Sequence, residues 1–87
     1  MDSVFKALSD PGRRKILSIL KKGDMPAGEI ANRAGMSPPL ASHHLEALRK
    51  AGLVIAERKG QFIEYSLNQS VFEELVESVM KYITKNK

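Results

Sequence analysis

Eighty-seven residues with a formal charge of +4 and no cysteine set the bounds. A chain this short cannot divide its apolar residues between two stable cores, so one domain over residues 1–87 is expected, and its small core invites support from oligomerisation. Disulfides and thiol chemistry are excluded, no stretch nears the roughly 20 apolar residues of a membrane span, and the basic balance points to an anionic partner.

The opening "MDSVFKALSD" is acidic and amphipathic, unlike a secretion signal, so a cytoplasmic location is expected. Asp2 or Ser3 is placed to cap a first helix with Val4, Phe5 and Leu8 on one face. "SDP" restarts the chain, with Asp10 as N-cap of a second helix and Pro11 at its first position. Ile16, Leu17 and Leu20 turn inward there, while Gly12 weakens the first turn by about 1 kcal/mol relative to alanine. Arg13, Arg14 and Lys15 oppose the dipole of that helix. Either a DNA phosphate or an internal acid such as Asp10 must compensate them, and the sequence leaves both open.

Pro26 opens a third helix that runs to Ala34, with Ile30 and Ala34 one turn apart and Gly35 suited to the left-handed position that ends it. Ser37 caps a fourth helix and Pro38 takes its first position. Leu40, His44, Leu45 and Leu48 form its expected inward stripe, and Gly52 stops it.

After Gly52 the period changes. "LVIAERKGQFIEYSLN" holds two β-prone runs around "RKGQ", the pattern of a hairpin, with Ile63, Tyr65 and Leu67 alternating to one face. A last helix is expected from Ser70, which stands at capping-box spacing from Glu73. Val71, Phe72, Leu75, Val76, Val79, Met80 and Ile83 give it a wide apolar face. From Glu64 to Glu77 every charge is acidic, whereas Arg49, Lys50, Arg58 and Lys59 lie just before. The predicted fold class is mostly α with a small β-hairpin (α+β), in the order α-α-α-α-β-β-α.

Two helices joined by a short glycine-containing turn, the second followed by a hairpin, describe a winged helix-turn-helix. "AGEIANRAGMSPPLASHHLEALRKAGLV" followed by "RKGQFIEYSLN", with "VFKALSDPGRRKIL" before them, resembles the ArsR family of bacterial repressors, nearest to its SdpR-like autorepressor branch. The resemblance runs from about Val4 to Leu67. It implies a homodimeric transcriptional repressor that regulates its own operon. It also implies that the first and last helices pair across a two-fold axis, through Val4, Phe5, Leu8, Phe72, Leu75, Val76, Val79 and Ile83.

Physical chemistry supports the same partner. An α-helix fits the major groove and its first exposed residues reach base edges. Opposite the inward stripe stand Ser37, Pro38, Pro39, Ser42 and His43, with Glu46 further along. Ser42 and His43 offer hydrogen bonds to bases or phosphates. Pro38 and Pro39 lack an N–H and offer only apolar contact, so direct readout should be sparse and DNA shape important. His44 falls on the inward side and is expected to be structural. Arg58, Lys59 and Gln61 surround Gly60 at the hairpin tip, where they suit phosphates or a minor groove.

Three rivals compete with double-stranded DNA as the partner. A metal sensor finds few ligands here. The cysteine pair of metal-responsive relatives would fall in "MPAGEI", and His43 and His44, being adjacent, point about 100° apart rather than to one ion. An enzyme lacks a nucleophile with a base, and no cofactor is implied. A winged helix that binds a protein would need an apolar or weakly basic recognition face, which Pro38, Pro39 and Glu46 partly supply. The operator, the inducing effector and any sequestering protein are not written in the sequence.

Overall fold

A computed structural model describes residues 1–85. In chain order it contains α1 (Asp2–Leu8), α2 (Pro11–Leu20), β1 (Met25–Pro26), α3 (Ala27–Ala34), α4 (Pro38–Lys50), β2 (Val54–Lys59), β3 (Phe62–Leu67) and α5 (Gln69–Lys85). The hairpin and the helix order match the expectation, and one short strand was not foreseen. β1 pairs with β3, Met25 opposite Tyr65 and Pro26 opposite Glu64, so the antiparallel sheet has the order β1-β3-β2. Two residues carry too little pattern for a period to register. Met25 is nonetheless buried and closes one side of the core.

The helices start and stop where local chemistry dictates. Asp10 accepts a hydrogen bond from the Arg13 amide at 3.2 Å and Pro11 follows it, while Ser37 accepts from the Leu40 amide at 3.3 Å with Pro38 next. Each pairing satisfies one N–H that a helix start would leave without a partner. At the other end, α3 and α4 close identically. The Met36 amide donates to Ala31 O and the Leu53 amide to Leu48 O, both at 3.0 Å, around Gly35 (φ 67°) and Gly52 (φ 82°). These Schellman closures need a left-handed residue that a side chain would strain.

Two expected caps are corrected. Met1, not Asp2 or Ser3, precedes α1 and makes no side-chain cap. α5 begins at Gln69, so Ser70 lies inside its first turn rather than capping it. Asn68 takes that place and looks backwards instead. Its amide donates to Leu53 O at 3.0 Å and its Nδ2 to Gly52 O at 2.9 Å, tying the start of α5 to the end of α4.

Ile16, Ile30, Leu45, Leu48 and Leu53 are wholly buried between α2, α3, α4 and the sheet, each contributing on the order of 1.5–3 kcal/mol by leaving water. Val4, expected on one face of α1 with Phe5 and Leu8 and offered to a second copy, belongs to this core too. Val4 is buried and Leu8 half-buried, leaving Phe5 exposed. α5 divides along its length. Val71, Phe72 and Leu75 pack against the core, whereas Val76, Val79, Met80 and Ile83 stand exposed. Ile63 likewise turns out to be exposed, while Tyr65 and Leu67 on the same face reach the core. Ile63 is near the hairpin tip, beyond the helices that cover the base.

Candidate nucleic-acid interface

The site is built on α4. Its inward stripe is Ala41, His44, Leu45 and Leu48, and Leu40, expected in that stripe, is 44% exposed. At 100° per residue, Leu40 lies at the edge of the arc and Ala41 nearer its centre. A small alanine there lets α4 approach its neighbours closely, and a pattern search weighted towards large apolar residues passes over it. The outer side presents Pro38, Pro39, Ser42, His43 and Glu46, all exposed, directly after the Ser37 cap. Glu46 is bound at both carboxylate oxygens by Arg49, at 2.8 and 2.9 Å. That guanidinium holds its carboxyl below the ordinary value, so the outer face carries an ion pair rather than a bare negative charge.

The two adjacent histidines have separate environments. His43 is exposed, whereas His44 is 8% exposed and sits against the start of α2. Arg13 Nε donates to His44 Nδ1 at 3.4 Å, and His44 Nε2 lies 3.9 Å from Asp10 Oδ1. Gly12 makes room for this arrangement. A Cβ at that position would meet His44 Nε2 at 2.9 Å, Asp10 Oδ1 at 3.0 Å and Met36 Cε at 3.2 Å. The glycine that weakens α2 therefore permits α2 to seat the histidine of α4.

The same corner accounts for much of the charge that opposed the α2 dipole. The Arg14 Nη1 donates to Leu8 O at 2.7 Å, at the C-terminal end of α1 where a cation is favoured. Arg13 is drawn to His44, and Asp10 faces both. Lys15 forms no ion pair among the described residues.

On the hairpin, register separates the two basic residues. Lys59 shares a face with Glu57, Phe62 and Glu64, and its Nζ lies 3.1 Å from Glu64 Oε1 and 3.6 Å from Glu57 Oε1. Glu64, foremost, raises the pKa of Lys59. Arg58, opposite Ile63, is on the other face and has no ion pair among the described residues. Gln61 is exposed in the two-residue turn with Gly60. Phe62 beside it is 66% exposed, a feature the alternating pattern could have shown, since it falls on the side away from Tyr65 and Leu67.

A helix capped by Ser37, its outer face open and its inner face locked on two other helices, with a two-stranded hairpin alongside, defines a winged helix-turn-helix DNA-binding fold. Comparison with known proteins agrees. The family model described as "Bacterial regulatory protein, arsR family" matches residues 10–56. The transcriptional repressor SdpR of Bacillus subtilis (strain 168) is 51% identical over 85 residues, spanning 98% of this chain and 94% of that protein. An ArsR-like transcriptional regulator from Rhodococcus sp. RHA1 superposes with a TM-score of 0.89 at 31% identity, over 97% of this chain and 79% of that one. The homodimeric winged helix-turn-helix DNA-binding domain of a Mycobacterium bovis protein, described as a possible ArsR-family regulator, gives 0.78 at 32% identity, over 99% and 82%. The chain belongs to the ArsR family of bacterial regulatory proteins.

Proposed function

We propose that this chain is a transcriptional repressor that binds double-stranded DNA as a homodimer in the cytoplasm. The observation that carries the reading is the outer face of α4, where Pro38, Pro39, Ser42 and His43 stand exposed on a helix whose opposite side is fully packed. Such a face enters a major groove without disturbing the fold. Ser42 and His43 supply the hydrogen bonds, and the two prolines, with Leu40 beside them, supply apolar contact. Ser37 lies at the helix start, near the phosphates that flank the groove.

Arg58 and Gln61 are the wing contacts we favour, because Lys59 is already held by two carboxylates. Phe5, Val76, Val79, Met80 and Ile83 are the apolar groups a second copy would cover, together with the exposed margins of Leu8, Phe72 and Leu75. Two-fold pairing through α1 and α5 would set two copies of α4 about 34 Å apart and make the operator an inverted repeat. Likeness to SdpR supports a role in repressing transcription, and control of the chain's own operon is the extension we draw from it.

Selection from a pool of random duplexes at two salt concentrations tests the reading. Enrichment of an inverted repeat, with affinity falling steeply as salt rises, is the expected result. Retention without enrichment, or binding indifferent to salt, would overturn it in favour of a protein partner for α4.

A further inference from the structure

A second concave site lies on the other flank of α4, between α1, the first turn of α2 and the C-terminal half of α4. It is an open concavity of about 360 Å³, within the range of small-molecule sites. Ala7, Ala47 and Ala51 line it with Ser3 and the side chains of Lys6, Arg13 and Lys50, whose hydrocarbon stems make its surface mainly apolar. No carboxylate lines it. Neither lysine forms an ion pair among the described residues, and Glu46, the acid nearest Lys50 along the helix, is committed to Arg49. Arg13 spends only its Nε, on His44, so its two terminal nitrogens have no hydrogen bond among the described residues.

We infer that this cavity binds a small anion carrying two or more negative charges, such as a phosphorylated or polycarboxylate metabolite. Two lysines and the terminal nitrogens of Arg13, none of them in an ion pair or hydrogen bond among the described residues, offer a multivalent anion three points of charge-assisted contact. The self-association proposed above uses a different side of α1. Phe5, the α1 side chain offered to a second copy, is about 160° around the helix from Ala7.

The cavity is coupled to the DNA-reading helix through two of its own residues. An anion that engages Arg13 draws its guanidinium from His44 Nδ1, the contact that seats α4 on α2. It also takes up Lys50 on α4 itself and adds negative charge beside the bound duplex. Both effects weaken DNA binding, which makes the site that of an inducing effector. This consequence rests on the operator reading above, whereas the binding site does not.

The test is a ¹H–¹⁵N titration of the 87-residue chain without DNA, using sodium pyrophosphate and, separately, sodium citrate, with sodium chloride at matched ionic strength as the blank. Saturable shifts at the Ala7, Ala47 and Ala51 amides are expected. They should vanish in the Lys6→Gln/Lys50→Gln variant, whose spectrum otherwise overlays the parent, and the single Lys50→Gln variant serves if the double one does not. Pyrophosphate should then lower operator affinity about fivefold or more beyond the chloride blank, and should not do so in the variant. Shifts no larger than the blank, or unchanged in the variant, overturn the site. If instead the lysine variants lower the salt slope of operator binding and no anion saturates, the cations belong to the DNA backbone and the inference fails. Saturation in a protein that selects no operator upholds the cavity and overturns the operator reading instead.

Discussion

The two longest helices, α4 and α5, are both amphipathic, yet they use their exposed sides in opposite ways. α4 buries one stripe completely and shows water two prolines, a serine, a histidine and an ion pair. α5 packs only its first turns on the core, and further along leaves Val76, Val79, Met80 and Ile83 in water. A polar outer face tolerates solvent and can trade it for phosphates and base edges. An apolar one beyond the reach of its own core gains stability when a second copy covers it. The proposal of different partners for the two helices rests on this contrast, without appeal to any motif.

The comparison is broken most severely from inside α4. Leu45→Ala should cost about 2–5 kcal/mol in a urea unfolding curve, a large share of a small domain's stability, whereas Val79→Ala in isolated monomer should cost far less. Next comes Val76→Glu, which should leave the monomer's circular dichroism intact yet shift sedimentation to a single chain. Operator affinity should fall about tenfold or more, because the two half-sites are no longer engaged together. An unchanged dimer would remove α5 from the interface. Ser42→Ala and His43→Ala should each cost about 1–3 kcal/mol of operator binding and relax preference at one position of each half-site. On the wing, Arg58→Ala should lower the salt slope by about one, and Lys59→Ala by less, as measured by titration at four salt concentrations. Equal slopes would mean that the carboxylates release Lys59 on binding.

Two smaller tests address how α4 is seated. Alanine in place of a helical glycine usually stabilises by about 1 kcal/mol, but Gly12→Ala should lower the melting temperature, since its methyl group would press on His44 and Asp10. A rise in melting temperature would show that the corner yields. The Asp10 cap has a definite pH signature. Its hydrogen bond from the Arg13 amide holds the carboxyl below the ordinary value of 3.8. The stabilisation is therefore complete above that ordinary value and disappears as the pH falls through the lower folded one. Asp10→Ala should melt earlier than the parent at pH 7, and the difference should close only in acid below 3.8.

Much of this was legible in the linear chain because it rests on local chemistry. Asp10, Ser37, Gly35 and Gly52 announce helix ends by what they alone do well there, and the change of period after Gly52 announces the hairpin. What escaped depends on distant partners. The place of Leu40 was given to it by size, though the tight approach of the helices selects Ala41. β1 exists only because Tyr65 and Glu64 come alongside it. The division between Arg58 and Lys59 follows from strand register, invisible until both strands are paired. Gly12 read as a weakness and proved to be clearance for His44, thirty-two positions away.

The backward-looking Asn68 has a consequence for distance. Its two hydrogen bonds to the Gly52–Leu53 corner lock the direction in which α5 departs to the axis of α4. If copies meet through α5, that one corner, repeated in each, acts as the hinge pin of a pair of calipers. The span between the two reading helices then depends on this corner as well as on the packing of Val71, Phe72 and Leu75, and Asn68→Ala, which removes the Nδ2 bond, should let the molecule accept operators whose halves are set closer together or further apart.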